Sequence, residues 1–460
     1  MSTTESTVPS GTKSKYLTAP VPTTKMPPGI PYIIGNEAAE RFSFYGMRTI
    51  LVIFMTKYLV DAQGHADRMT DTQAREWFHL FVAAVYFFPL IGSIVADVFF
   101  GKYLTILWLS IVYCLGHFAL SLNDTRLGLM IGLSLIAIGS GGIKPCVSAN
   151  VGDQFGEHNR YLLARVYMWF YLAINIGSAI SMYWVPIELR TAGSHVAFGI
   201  PGILMLIATI IFWMGRKKFV HVPPAGIRKL GEVFSLENLK ALAGLMPIYV
   251  VIAVFWSLYD QCSSAWVQQA EHMDLHFFGL KWTADQFQIL NPILVLIYVP
   301  LFSSVIYPTV NRFYKLTPLR KMSIGFFFTF CSFVVPAYVE MLISAGQKPT
   351  IGWQVLAYMF LMASEVMVYA TGLEFSYTQA PKKMKSMIMA LFLATNTAGN
   401  LFTAAVNHFI QNPDGSSKLT GANYYLFFAG LMFIAAIAFI FIAMTYRGKT
   451  FIQDEKPAAA

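Results

Sequence analysis

The sequence predicts an all-α polytopic membrane protein with twelve spans in two six-helix bundles. Three observations carry that reading: the composition, the spacing of the apolar runs, and one long polar break midway. Of 460 residues, 56% are hydrophobic and 12% charged, and the mean hydropathy is +0.55. Soluble domains carry about a quarter charged residues, so this chain is too apolar to be one. A helix needs about 20 largely apolar residues to cross a hydrocarbon core roughly 30 Å thick. Such runs fall at 35–60, 77–99, 103–122, 127–150, 162–185, 196–214, 241–268, 286–308, 320–343, 351–377, 386–411 and 423–446. All are read as helices, because lipid tolerates only helices and closed barrels and no run alternates as a barrel strand does.

The first span carries charge where lipid-facing sequence is expected: Glu37-Ala-Ala-Glu40-Arg41-Phe42-Ser43-Phe44-Tyr45-Gly46, then Arg48. A charge near the bilayer centre costs roughly 2.5 to 3.5 kcal/mol or more, so such groups face a protein interior or a watery cavity. Helical spacing puts Glu37, Glu40, Arg41, Tyr45 and Arg48 on one polar stripe. A salt-bridged cluster that merely joins helices is the competing reading, and it gives no reason for Arg48 two turns on. Span two holds Pro89 and, near its outer end, His79, which titrates near neutrality when unperturbed and is as easily structural as a proton relay. Span four is interrupted by Gly139-Ser-Gly-Gly142-Ile-Lys144-Pro145, and span eight by Asn291-Pro292 and Pro300. Such interruptions permit bending where neighbours or water satisfy the freed backbone, although the glycines equally permit close helix packing. Span five contributes Tyr171 and Asn175, span seven Asp260 and Trp266, span ten Glu365, and span eleven Phe392 and Asn396.

The long interior break runs from Gly215-Arg-Lys-Lys218 through Val-His-Val-Pro-Pro-Ala-Gly226 to Lys240. It divides the spans six and six, the plan of carriers whose substrate site lies between two halves at the bilayer midplane. The organisation read from sequence is a disordered tail at 1–34, a bundle at 35–214, a linker at 215–240, a bundle at 241–446 and a tail at 447–460. The linker residues Glu232 to Leu242, which could form a surface helix, are assigned to that connection. The first thirty residues, rich in Ser, Thr and Pro, lack the apolar core of a signal peptide. Placing both termini and the even-numbered connections in the cytoplasm puts most of the 33 basic residues there, so both ends are expected inside. The net charge of +9 then reflects topology and contact with anionic membrane lipid, and no module points to nucleic acid. Cys114, Cys146, Cys262 and Cys331 fall within spans and read as small buried residues. No metal set, Walker loop or zinc-protease motif is present in the sequence, so no enzyme, metal or cofactor is expected.

Sorted by half, the intramembrane charges are asymmetric. The first half supplies Arg41, Arg48 and Lys144, and the second supplies Asp260 and Glu365. A cleft so lined suits a small zwitterion, with arginine gripping a carboxylate bidentately. Asn175, Asn291 and Asn396 could bond a peptide unit, with Tyr45, Tyr86, Tyr171, Trp266 and Phe392 as walls, though each aromatic could equally be packing. A glutamate beside a movable cation can couple proton binding to shape change, and Glu37 and Glu40 with Arg41 and Lys144 are the first candidates, Asp260 with Arg48 the second.

Over nearly its whole length the chain resembles the proton-dependent oligopeptide transporter (peptide transporter) family of the major facilitator superfamily. Glu37 to Gly46 is similar to the family's helix-one signature E-x-x-E-R-F-x-Y-Y-G, and Gly92 to Asp97 with Gly101-Lys102 resembles the superfamily motif after helix two. Gly141 to Pro145 with Asp153-Gln154-Phe155, Phe170 to Ser178, Phe255-Trp256 through Asp260-Gln261 and Trp266, and Gly372 to Pro381 resemble further family stretches in order. The resemblance implies a major facilitator fold and uptake of di- and tripeptides driven by a proton gradient, by a functional monomer in the plasma or inner membrane. It implies proton coupling by Glu37, Glu40 and Arg41 with Lys144 as partner, and His79 where animal members place a functional histidine. Arg41 and Lys144 would meet the peptide carboxylate, Glu365 its amine, Asn175 and Asn291 its backbone, and Tyr86 and Trp266 would line the pocket. Arg48 and Asp260 match a gate pair. Phe44 replaces the signature's first tyrosine, Phe392 a common tryptophan, and the break has no room for two extra helices. Relatives of the family vary in cargo, so a carrier for nitrate, an amino acid or a drug is the alternative.

Overall fold

The computed structural model describes residues 16–224, 226, 236–379 and 385–446. Ten helical stretches among them are long and apolar enough to cross a membrane. One of these, Asp71–Leu122, is two helices, because the chain reverses at Gly101 with φ +75°. The first helix falls outside the ten because Glu37, Glu40, Arg41 and Arg48 interrupt it, which is the property that makes it informative. The long helices are α1 (Ile30–Lys57), α2 (Asp71–Val95), α3 (Gly101–Leu122), α4 (Arg126–Asp153), α5 (Leu163–Thr191) and α6 (Ser194–Met214). They continue as α7 (Leu236–Tyr259, prolonged by short turns to Ala270), α8 (Gln286–Asn311), α9 (Pro318–Ser344), α10 (Gly352–Gln379), α11 (Lys385–Ile410) and α12 (Ala422–Thr445).

Three helices start five or more residues ahead of their apolar runs, α1 among them at Ile30, inside the expected 1–34 tail. α2 starts at Asp71 and not at 77, because Thr70 and Gln73 form a reciprocal capping box ahead of its apolar part. α7 starts at Leu236, so the end of the expected 215–240 linker is helical, while 225 and 227–235 lie outside the described residues. The expected disordered tail is also corrected. Residues 1–15 are outside the described set, but Leu17 pairs with Val220 and accepts from the His221 amide at 2.7 Å. Tyr16 stacks on His221, and the Thr24 and Lys25 carbonyls accept from Tyr161 and Asn159. Apolar and aromatic residues within a Ser/Thr/Pro-rich segment thus find partners in the α4–α5 and α6–α7 connections. The tail at 447–460 lies outside the described residues.

α1 packs on α5 and α6, and α3 on α4 and α6, while α9 packs on α10 and α12 and α7 on α11. Major contacts between these groups are made by α2 with α11 and by α5 with the start of α8. A single two-stranded hairpin, His276–Phe277 with Leu280–Lys281, decorates the α7–α8 connection. The helices run alternately up and down, so the even-numbered connections share a terminal end and the odd-numbered ones a distal end.

Glycine in the family-like motifs sets the approach of α2 to α4. A Cβ on Gly92 would lie 2.5 Å from the Gly141 carbonyl oxygen and 2.8 Å from the Gly142 Cα. Backbone cannot yield as a side-chain tip can, and small residues are what permit such approach in membranes. Beside this contact, Lys102 at the start of α3 pairs with Asp153 at the end of α4, 2.6 Å apart. Three helices contain a single wide turn, at Ala96–Phe100, Phe302–Ile306 and Val366–Ala370, the last immediately after Glu365. Such π-type bulges gather at functional sites and kink their helices. Gly92→Val is expected to cost about 1–3 kcal/mol by overpacking. Thermal unfolding in detergent checks it; an unchanged midpoint contradicts the tight crossing.

Candidate functional site

A cavity of about 670 Å³ lies between the helix groups, within the range of small-molecule sites. One wall carries Glu37, Arg41, Tyr45 and Arg48 from α1, Tyr86 from α2, Lys144 from α4, and Phe170, Tyr171 and Asn175 from α5. The other carries Trp256, Tyr259 and Asp260 from α7, Gln288 and Asn291 from α8, Glu365 and Tyr369 from α10, and Phe392 and Asn396 from α11. From Arg48 and Asp260 the cavity extends toward the terminal ends of α4 and α8, at Ser148 and Val299.

The charges in and around this cavity differ in whether they are already engaged. Arg41 Nε lies 2.7 Å from Glu37 Oε1, to which it donates, and 3.0 Å from Glu40 Oε2. Glu37 and Arg41 reach the cavity, while Glu40 stands behind them, fully buried. Arg48 and Asp260 are ion-paired across the halves. Asp260 Oδ2 also accepts from Asn400 at 2.8 Å and from Asn396 at 3.3 Å. A buried pair needs such extra donors, because desolvation alone can outweigh the attraction of the two charges.

Two charges remain without an opposite partner. Lys144 does not pair with Glu37 or Glu40 as expected: its Nζ sits 4.1 Å from the Phe44 ring centre and 4.7 Å from that of Tyr86, and no carboxylate lies within 4.0 Å among the described residues. Aromatic faces attract a cation but do not neutralise it. Phe44, which stands where the signature has its first tyrosine, is 1% exposed and lies beneath this ammonium, outside the cavity lining. On the opposite wall Glu365 accepts from the Tyr259 hydroxyl at 2.7 Å, and that hydroxyl accepts from Asn291 at 2.9 Å. No cation pairs with Glu365 among the described residues.

Other expected contacts are redistributed. Trp266 is not a cavity residue: it is fully buried between Tyr358 and Phe333, with ring centres 5.1 and 5.7 Å away. Its span-seven position lies beyond a break in the helix after Asp260, which turns it away from the cavity. His79 also lies outside the cavity, bridging Asn400 at 2.7 Å and Ser264 at 3.0 Å. Asn175 lines the cavity but gives its amide to the Tyr171 carbonyl at 2.9 Å. Tyr45, Tyr86 and Phe392 line it, the last stacked on Tyr369 at 5.8 Å. Trp256, Tyr259, Tyr369 and Gln288 were not singled out as contacts. Tyr369 is legible as the residue one turn after Glu365, and Tyr259 as the neighbour of Asp260. All four cysteines are free thiols, and Cys262 lines the cavity.

Further bonds between the halves gather at the distal end. Arg190 pairs with Asp285 at 2.8 Å, Gln288 donates to the Thr49 carbonyl at 3.0 Å, and Lys57 pairs with Glu271. Arg75 donates to Asn407 and Gln268, and His408 meets Glu76 at 3.0 Å. The conformation is therefore closed at the distal end.

A multi-pass membrane protein with a charged cavity between two helix groups is the class this architecture defines. The family model described as the POT family matches residues 103–236 and 230–427. Peptide transporter family 1 of Drosophila melanogaster is 37% identical over 362 residues, 68% of this chain and 48% of that protein. Solute carrier family 15 member 2 of Homo sapiens is 37% identical over 372 residues, 69% of this chain and 49% of that protein. The chain thus spans about half the length of these relatives. The crystal structure of the POT family transporter PepTSo matches with a TM-score of 0.83 at 35% identity, covering 92% of this chain and 99% of that one. An auto inhibited POT family peptide transporter matches with a TM-score of 0.82 at 35% identity, over 94% and 99% of the two chains. The chain belongs to the POT family, a family of transporters and not of enzymes. Its fold is that of the major facilitator carriers anticipated above.

Trp266→Ala is expected to destabilise the protein by roughly 3–5 kcal/mol, the cost of emptying a buried aromatic site. Thermal unfolding in detergent checks it; an unaltered midpoint contradicts the packing role.

Proposed function

We propose that this chain is a proton-coupled symporter that imports di- and tripeptides by alternating access. The observation that carries the proposal is the pair of unpartnered charges on opposite cavity walls, the Lys144 ammonium and the Glu365 carboxylate. A zwitterionic peptide supplies the missing partner to each. Its carboxylate meets Lys144 and Arg41, and its amine meets Glu365. Asn175 and Asn291 bond its backbone, and Tyr45, Tyr86, Trp256, Tyr369 and Phe392 enclose its side chains. That relatives are named as peptide transporters supports the same substrate class.

Energy enters through Glu37 and Glu40. While both are ionised they hold Arg41; a proton on either weakens that hold and frees the guanidinium for the peptide carboxylate. No cofactor is needed, since the gradient itself is the energy source, and one chain holds a complete cavity, so the unit of function is a monomer. The distal end faces outward and both termini face the cytoplasm of a cell whose plasma or inner membrane holds the carrier. Arg48 and Asp260, with Asn396 and Asn400, close the outer gate once peptide and proton are loaded, and His79 braces it. The cargo alternative, an inorganic anion, leaves Glu365 without a purpose, because an anion needs no carboxylate opposite its binding cations.

Uptake of a labelled dipeptide into proteoliposomes with an imposed inward proton gradient is the test. Accumulation above the external concentration is expected, and accumulation indifferent to the gradient contradicts coupling. Glu365→Gln is expected to weaken peptide binding by about 2 kcal/mol or more, over tenfold, as for truncation of a buried charge partner. Unchanged affinity removes the amine assignment. Glu40→Gln is expected to lose uphill uptake while retaining counterflow exchange.

A further inference from the structure

Helix α3 carries three polar residues one turn apart on a single face, Tyr113, His117 and Ser121, and none of them lines the peptide cavity. Positions four apart on a helix are neighbours. Tyr113 and His117 are fully buried, their ring centres 5.0 Å apart. The Tyr113 hydroxyl and both ring nitrogens of His117 lack hydrogen-bond partners. The Phe198 backbone of α6 lies beside the imidazole. An imidazole and a phenol buried with three unmet polar atoms call for a reason, since nearly all buried polar groups are bonded.

The two ends of this line meet other polar groups. At the inner end Tyr113 lies within electrostatic reach of Glu40, Arg41 and Glu37 of α1. The Glu40 carboxylate is itself buried without a hydrogen bond. At the distal end Ser121 donates to the His195 carbonyl at 2.6 Å, and Asp124 accepts from Ser194 and lies 3.9 Å from His195. His195 is exposed there. The surrounding helices press close along the line, and only glycine fits opposite each of the three residues. Gly139 of α4 abuts Tyr113, Gly202 of α6 abuts His117, and Gly199 abuts Ser121. The titratable groups on those helices lie elsewhere: Arg126 of α4 is tied to Asp67, Lys144 faces the cavity, Cys146 and Asp153 lie nearer the terminal end, and α6 has only His195. On α3 itself Cys114 neighbours Tyr113.

We propose that α3 carries a proton-entry path to the Glu37/Glu40 pair, from the Ser121/His195/Asp124 rim through His117 and Tyr113, separate from the peptide cavity. The path rests on the symporter reading above and gives its proton a route of its own. Water drawn to the unpartnered atoms when the close-packed helices part links the groups during the cycle. A proton accepted at one His117 nitrogen is matched by one released from the other, and the Tyr113 hydroxyl likewise takes one and gives one. The Glu40 carboxylate becomes a carboxyl, for a net transfer of one proton. The rim stays reachable while the Arg48–Asp260 gate is shut, so protonation does not have to wait for the gate to open.

The test uses the full chain in proteoliposomes, with a trapped pH dye and labelled dialanine under an inward proton gradient. Wild type, His117→Phe, His117→Gln and Tyr113→Phe are compared. Peptide-stimulated proton influx and uphill uptake are expected to fall roughly ten- to a hundredfold, up to the lower end of what a positioned proton-transfer group contributes. Counterflow exchange, which needs no net proton movement, is expected to persist in each variant. Wild-type proton influx in all three overturns the path while leaving the symporter reading intact. Parallel loss of counterflow overturns it too, by making these residues packing elements. A wild type whose uptake ignores the gradient overturns the symporter reading itself.

Discussion

The buried ion pair of Arg48 and Asp260 is the interaction on which the rest of this structure depends. Each charge is costly in an apolar bundle, and neither has another opposite charge to which it is bonded. The pair is made across the two halves, so its formation fixes how they meet at the distal end. Asn396 and Asn400 supply further donors to Asp260, and Asn400 in turn bonds His79. Four residues from the second half and two from the first thus form one network once Ser264 is included. Its satisfaction is conditional on the two halves being together. Separation leaves charges that must be met by water, which is the property a gate requires.

Commitment of Arg48 and Asp260 to each other also decides which charges are left for a ligand. Arg41 is held by two carboxylates, so the remaining opposite charges are Lys144 and Glu365. The five charges read from the sequence therefore divide by function within the proposed cycle: Arg48 and Asp260 close, Lys144 and Glu365 hold the ends of a peptide, and Arg41 joins Lys144 once a proton on Glu37 or Glu40 loosens its hold. The distal ion pairs and amide bonds add contact area to the closed gate, but those at the exposed rim contribute little individually. Within the proposed cycle the buried network sets the geometry of closure, and the rim bonds add to it only collectively.

Much of the fold was legible in the sequence because lipid imposes a strong and local rule. Twenty apolar residues in a row read as a helix whatever their partners, and the polar stripe of α1 stood out against that background. What was not legible depends on which side chains meet. The three wide turns follow from backbone register and leave no compositional mark. Trp266 and Phe392 are alike as aromatics in apolar helices, and only the break after Asp260 sends one into packing and leaves the other in the cavity. Lys144 was paired with glutamates by charge, whereas the structure seats it on Phe44 and Tyr86. His79 meets Asn400 across 321 residues of chain, and Tyr259 meets Glu365 across 106. The ordered residues 16–29 were hidden by a composition that also suits disorder. A few aromatic and apolar contacts to neighbouring loops sufficed to hold them.

In the proposed cycle the buried Arg48–Asp260 pair holds the distal end shut. The most direct measurement is the distance between spin labels at positions 63 and 278, exposed in the α1–α2 and α7–α8 connections, in a background lacking the four native cysteines. Double electron–electron resonance is expected to give one short population in the parent protein. Asp260→Asn is expected to add or favour a longer one, because Arg48 is left buried beside a neutral amide. A distribution that Asp260→Asn leaves unchanged contradicts the claim that this pair is the gate.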